Sequence, residues 1–231
     1  MRSTAARPCL LYTSASRFLD QATFGATDAD IHTLTQIGFA AWLNQQFSAP
    51  QTLHEPVIEQ SLMLNNPPCN AGDVTCNAAL FVQNNSDEGY LQQTFWQQAM
   101  TGSDQLRQRV KYALMEIMVI SSTNPAVANM PRGMANYYDV LGADAFGNFR
   151  QLLQDVTLNP MMGQFLSMQG NEGANPNVDP DENYAREVMQ LFTICLLYTS
   201  ESVLRLRWQT GTSTSISPAH RHRTAAASML C

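Results

Sequence analysis

Between Ala15 and Ile194 the sequence is short of positive charge. Seven Lys and Arg stand there against eighteen Asp and Glu, a formal −11, and the arginines of both flanks bring the whole chain only to −6. An acidic body repels phosphate backbones and offers no basic stripe, so a nucleic-acid partner is disfavoured, as is an anionic membrane surface. Long apolar runs are missing too. The longest, Ala113 to Ile120, is interrupted by Glu116 and is far shorter than the roughly 20 residues a membrane-spanning helix needs, so no membrane insertion is expected. The first fourteen residues hold one apolar stretch, Cys9 to Tyr12, shorter than the about 7 residues of a signal h-region; no export signal is legible in them.

Several catalytic patterns are also lacking. There is no Gly-x-Ser-x-Gly elbow and no glycine-rich phosphate loop, and no cofactor is indicated. Di-iron chemistry in a helical bundle needs Glu-x-x-His pairs, and none is present. His32 and His54 stand alone and read as solvated side chains.

Only two cysteines, Cys69 and Cys76, lie inside the acidic body, in a loop-like segment rich in Pro, Asn and Gly. The simplest reading is a local disulfide, which implies an oxidising compartment; the alternatives are two free thiols or a metal site. Zinc would need two further soft ligands at matching spacing, and His32 and His54 do not supply it.

The hexapeptide Cys-Leu-Leu-Tyr-Thr-Ser occurs at 9–14 and again at 195–200, with nothing similar around the two copies. A structural repeat keeps a periodic pattern over tens of residues, and this one stops abruptly. One reading frame of a transposon-end sequencing adaptor encodes the same six residues. Residues 1–14 are therefore read as a non-native leader and 195–231 as a non-native, disordered tail, with a native basic tail as the alternative. The native body is 15–194, the front part of a longer protein.

Within it the apolar residues recur at helical spacing. Thr27 and Asp30 form a capping box ahead of Ile31 and Leu34, and Gly38 stops that helix. Phe39, Trp42, Leu43 and Phe47 mark the next; Val57, Ile58, Leu62 and Met63 another, and Ser86 can cap one carrying Leu91 and Phe95. From Ser103, the stripe Leu106, Val110, Ala113, Leu114 and Ile117 reads as a core face. Met134, Tyr137, Tyr138 and Leu141 give a helix, Phe146, Phe149, Leu152, Leu153 and Val156 the next, and Asn159 with Pro160 starts another as N-cap and N1. Asp179, Pro180 and Glu182 are expected as N-cap, N1 and N3 of the last. No stretch alternates with period two, so the fold class is all-α, an irregular array of about eight to ten short helices.

Three stretches together resemble one bacterial family, domain of unknown function 1800: Arg17 to Gly25 (RFLDQATFG), Leu106 to Val110 (LRQRV) and Pro180 to Thr193 (PDENYAREVMQLFT). Ala145 to Arg150 and Asp155 to Leu158 fit as well. Members are longer and continue beyond the equivalent of Thr193, whereas Cys195 here opens the second hexapeptide. The resemblance implies a periplasmic or extracellular setting. It also implies a possible partner from the family of domain of unknown function 1501, which resembles the alkaline phosphatase superfamily.

The residues that offer chemistry lie mostly near the end of the body. Glu182 and Arg186, and Asn183 and Glu187, are spaced to share the polar surface of the last helix, either as a solvated ion pair or as one wall of a cleft. Asn175, Asn177, Asp179 and Asp181 follow the every-second-residue rhythm of calcium loops, without the central glycine and terminal glutamate of an EF-hand. Glu116 projects to the flank of the stripe near Arg109, half-buried, as a structural partner or as a general acid or base. Two functions are compatible with this: an envelope-associated component acting with a partner protein, or a secreted hydrolase acting on polymers with an acidic cleft around 170–190.

Overall fold

A computed structural model of the chain describes residues 6–65, 72, 88–173 and 179–193. Among them are ten α-helices, one 3-10 turn and no strand, so the fold is all-α. Cys69, Cys76, Ser86, Asn175, Asn177 and residues 195–231 lie outside the described residues. The chain divides into two compact units, Met1–Gln169 and Gly170–Cys231.

The first unit opens with α1 (Ala6–Ala22), α2 (Asp28–Ile37) and α3 (Phe39–Ser48). Helix α1 begins inside the segment expected as a leader. Residues 11–14 of it are exposed, and burial begins at Ala15. The start of α2 is held as its sequence dictates: the Asp30 N–H donates to Thr27 Oγ1, and the Thr27 N–H donates to Asp30 Oδ2. Gly38 ends α2 and starts α3 at φ 82°, a left-handed backbone that a side chain would strain. These three helices enclose a first core of Ala15, Leu19, Ala22, Ile31, Leu34 and Trp42, with Phe18 packed edge-on against both Phe39 and Trp42.

Next come α4 (Glu55–Asn65), α5 (Glu88–Thr101), α6 (Gln105–Ile117) and α7 (Pro131–Ala143). The unit closes with the 3-10 turn Asp144–Phe146, α8 (Phe149–Leu158) and α9 (Pro160–Phe165). Helix α7 is the hub, packing against α4, α5, α6, α8 and α9. Eight of its thirteen residues are therefore buried, and Met134, Tyr137 and Leu141 are enclosed almost completely, each worth about 2–3 kcal/mol of hydrophobic transfer. Asn148 and Asn159 cap α8 and α9 with their side-chain oxygens, and Pro160 occupies the first turn of α9.

Helix α6 corrects the expectation drawn from its apolar stripe. Its buried residues are Gln108 and Lys111, whereas Leu106, Val110 and Leu114 are half-buried, and Ala113 and Ile117 are exposed. The helix has turned a polar face inward because polar partners wait there. It begins after Asp104, whose carboxylate caps no backbone N–H of the helix and instead accepts from Thr52 and from the Gln108 side chain.

The second unit holds α10 (Asn183–Gln190). The helix starts three residues later than the expected first position at Pro180. The Asn171 side chain clamps the Asp181 main chain, donating to its carbonyl at 2.8 Å and accepting from its N–H at 2.9 Å, and Asp181 Oδ1 accepts the Asn183 N–H. Glu182 thus stands at the N-cap and bonds no backbone N–H with its side chain.

Candidate functional site

Five consecutive residues joining α3 to α4, Gln51–Glu55, are tied down by side chains from three different helices. Gln51 donates to the Asp139 carbonyl at 2.7 Å. Thr52 donates its N–H and hydroxyl to the two carboxylate oxygens of Asp104 at 3.0 and 2.6 Å, and its carbonyl accepts from Gln108. The Leu53 carbonyl accepts from Gln98 on α5 at 2.9 Å. The His54 and Glu55 N–H groups both donate to the Asp139 carboxylate. Because the His54 carbonyl accepts from Ile58, the last two bonds satisfy orphan donors at the start of α4, so Asp139 on α7 serves as a long-range cap.

Beneath this strap lies a sealed charged cluster. His54, Lys111 and Asp104 have no solvent exposure, and Asp139 has 8%. His54 Nδ1 is 3.0 Å from Asp139 Oδ1, and Lys111 Nζ lies 3.2 and 3.5 Å from His54 Nδ1 and Nε2 while donating to Gln108 Oε1. A neutral His54 that gives its Nδ1 proton to Asp139 leaves Nε2 free to accept from Lys111. Burial pulls the His54 pKa below its ordinary value, against the hydrogen bond to Asp139. Burial also holds the Lys111 ammonium down to about 8, opposed by the charges of Asp139 and Asp104. Arg107 stands at the edge, its Nε 3.9 Å from Asp104 Oδ2, its Nη1 donating to the Gly142 carbonyl and its guanidinium over the Phe146 ring.

His54 was expected in solvent and is instead enclosed. The reason is the carboxylate of Asp139, which approaches from a helix eighty-five positions away and satisfies both backbone and ring. Lys111 carried one signal: it is the only lysine in the sequence, and Asp104, Gln108 and Lys111 fall at i, i+4 and i+7, a polar stripe at helical spacing.

A cleft of about 360 Å³ opens elsewhere in the unit, lined by Phe24, Thr27, Asp30, Gln46, Met100 and Gln105 among others. Most of its polar groups are engaged with one another. Gln105 donates to the Ala99 and Gly102 carbonyls, and Gln46 bridges the Ser103 carbonyl and the Leu106 N–H.

The expected candidates fall apart in space and role. Glu116 is exposed rather than half-buried, because the inward face of α6 is the Gln108 and Lys111 face. Arg109 lies with it along one shallow groove, but its guanidinium stacks over Phe24 and Tyr112 at 5.3 and 5.8 Å. In the second unit Glu182 and Arg186 form an exposed ion pair at 3.7 Å, worth only tenths of a kcal/mol to about 1. Glu187 differs: its Oε2 is buried without a hydrogen-bond partner, and burial raises its carboxyl pKa against the lowering charge of Arg186. Asp179 is exposed, and Asp181 is engaged with Asn171 and Asn183. Among the described residues no group of three or more His, Cys, Asp or Glu is arranged to hold a metal ion, and no helix is long and apolar enough to cross a membrane.

Together these features define a class: a short-helix array whose first unit encloses one small charged cluster under a polar strap. Residues 17–219 match the family described as Protein of unknown function (DUF1800), and the chain belongs to it. No curated protein and no solved structure matches the chain.

Proposed function

We propose that this chain is an exported component of the bacterial envelope that works by recognising a partner protein, the candidate being a member of the domain of unknown function 1501 family. One observation carries the reading. His54, Lys111, Asp104 and Asp139 are enclosed in the first unit and hydrogen-bonded to neighbouring groups, while Trp96 and Met100, one turn apart on α5, stand 58% and 72% exposed. A large aromatic and a flexible methionine presented side by side make the kind of anchor on which protein interfaces concentrate their energy. A disulfide between Cys69 and Cys76, if formed, would accord with a periplasmic or extracellular site of action.

The test is a titration of the purified chain against that partner, followed by light scattering and calorimetry. A defined complex is expected, weakened about thirtyfold in the Trp96→Ala, Met100→Ala double variant, the scale of a ~2 kcal/mol hot spot. Absence of any complex refutes the partner, and an unweakened complex refutes the α5 anchor.

A second reading, a secreted hydrolase acting on polymers with an acidic cleft around 170–190, rests on Glu187. A carboxyl whose pKa burial raises suits a general acid. It predicts polymer cleavage that Glu187→Gln removes at unchanged Tm; Glu182→Gln would serve as the exposed comparison.

A further inference from the structure

The strap and the cluster beneath it bear on regulation, independently of any partner. Each of the five residues from Gln51 to Glu55 is held by polar bonds, and those of Thr52, His54 and Glu55 run to two carboxylates whose buried counter-charge is Lys111. Elsewhere the first unit is packed mainly by apolar side chains. A disturbance of the buried charge is therefore felt first at the strap.

The proton inventory is tight. Facing the His54 ring from α6 are Lys111, Asp104 and, at the edge, Arg107; from α7, Asp139 and the Tyr138 ring, which stands edge-on at 5.8 Å. From α5 the strap meets only the uncharged Gln98. On α4, Glu55 is exposed, and Glu59 is paired with Arg132. With His54 neutral, Lys111 and Arg107 balance Asp104 and Asp139. A proton added to His54 Nε2 makes the ring a second cation, with that nitrogen 3.5 Å from Lys111 Nζ and no solvent to screen it. It also turns Nε2 from acceptor to donor, so the contact with the ammonium changes from attractive to repulsive.

We propose that His54, Lys111 and Asp139 form a proton-operated latch: with His54 neutral the Gln51–Glu55 strap is closed over α6 and α7, and protonation of His54 releases the strap and the start of α4 while the rest of the unit stays folded. The displaced His54 gains solvent, while the Asp139 and Asp104 charges continue to offset the Lys111 ammonium. A protein in contact with the external medium would thereby sense acidification through a side chain that is invisible from its surface.

Amide hydrogen exchange of the full chain at pH 7.5 and 5.0, corrected for intrinsic rates, reads the strap directly. The Thr52, His54 and Glu55 amides are expected to lose at least about tenfold protection at pH 5.0, with Ile31, Leu34 and Trp42 of the first core as unchanged references. His54→Gln, which keeps a neutral donor for Asp139, should abolish that pH response. If this variant does not fold, the titration of the His54 Cε1 proton in the unmodified chain must share its midpoint with the opening of the strap. Protection that is equal at both pH values, lost equally throughout the unit, persistent in His54→Gln, or opening at a midpoint distinct from His54 overturns the latch.

Discussion

One carboxylate oxygen of Asp139 accepts the backbone N–H of His54 at 2.8 Å and stands 3.0 Å from its ring Nδ1, so a residue of the hub helix sets both the start of α4 and the orientation of its imidazole. A local cap would need only a Ser, Thr, Asn or Asp at the right position in the sequence. A distant cap instead makes the formation of α4 depend on its docking against α7, which couples secondary to tertiary structure. Asp139→Ala leaves two backbone donors and the imidazole without their carboxylate, and removes one of the two charges that offset the Lys111 ammonium. A loss of about 3–5 kcal/mol is expected, with a smaller loss for Asp139→Asn, which keeps an acceptor. Urea unfolding measures both, and a loss under about 1 kcal/mol for the alanine variant would show that the cap is dispensable.

Lys111 gives the stability a distinctive pH dependence. Its folded pKa of about 8 lies below the ordinary 10.5 that it regains on unfolding. Between those values the unfolded chain binds more protons, so stability rises with pH across that window, by up to about 3 kcal/mol; below pH 8 the cost of the buried charge is complete. The comparison is the unfolding free energy at pH 7.5 and 9.5 for the parent and Lys111→Met, the parent alone showing the extra gain. It stops at 9.5 because Tyr138, whose burial and neighbour Glu116 push it up to about 12, ionises in the unfolded chain near 10 and tilts the balance the other way. As this is the only lysine, its side-chain nitrogen resonance also reports the folded pKa without assignment.

Two glycines on α7 should respond differently to alanine. A Cβ on Gly142 would stand 2.5 Å from Gln51 Nε2 and 3.3 Å from Lys111 Cδ, and neither can retreat, because Gln51 is tied to the Asp139 carbonyl and Lys111 is enclosed. Gly142→Ala is expected to cost about 1–3 kcal/mol. A Cβ on Gly133 meets the sulfur end of Met161, which can swing aside, and the helix gains about 1 kcal/mol from replacing glycine, so Gly133→Ala should be nearly neutral. Chemical denaturation ranks the pair; equal effects would contradict the packing around Gln51.

What the sequence made legible were features closed within a few residues. The Thr27 and Asp30 capping box, the Gly38 break, the Asn159 and Pro160 start of α9 and the apolar pattern of α7 all appear where local rules put them. Illegible were the features decided by a distant partner. The apolar stripe of α6 gave the wrong inward face because Asp139 and Thr52 reward the polar one, and His54 looked solitary because its carboxylate lies eighty-five positions on. The late start of α10 has the same origin on a shorter scale, since Asn171 holds Asp181 out of the helix from ten positions back. Among the candidates expected from the sequence, Glu187 carries an unsatisfied buried atom, a property of packing that no spacing rule expresses.

The carboxyl pair at the end of α7 offers a last test of how charge is managed in the first unit. Asp144 follows α7 directly, its Oδ2 is buried without a hydrogen-bond partner, and burial together with the Asp155 charge raises its pKa. Its folded pKa therefore lies above the unfolded value of 3.8, so the folded chain takes up the proton first and the repulsion is relieved as pH falls through the folded value. Above that folded value the repulsion stands in full. Asp144→Asn removes one charge and supplies an amide donor to Asp155, which keeps its bonds from Gln151. Tm should rise at pH 7 by no more than the equivalent of about 1 kcal/mol, since the group is largely solvent-screened, and the gain should shrink toward pH 4 as the parent protonates. Thermal scans at the two pH values decide it: an unchanged or lowered Tm at pH 7, or a gain independent of pH, means that Asp144 and Asp155 do not repel.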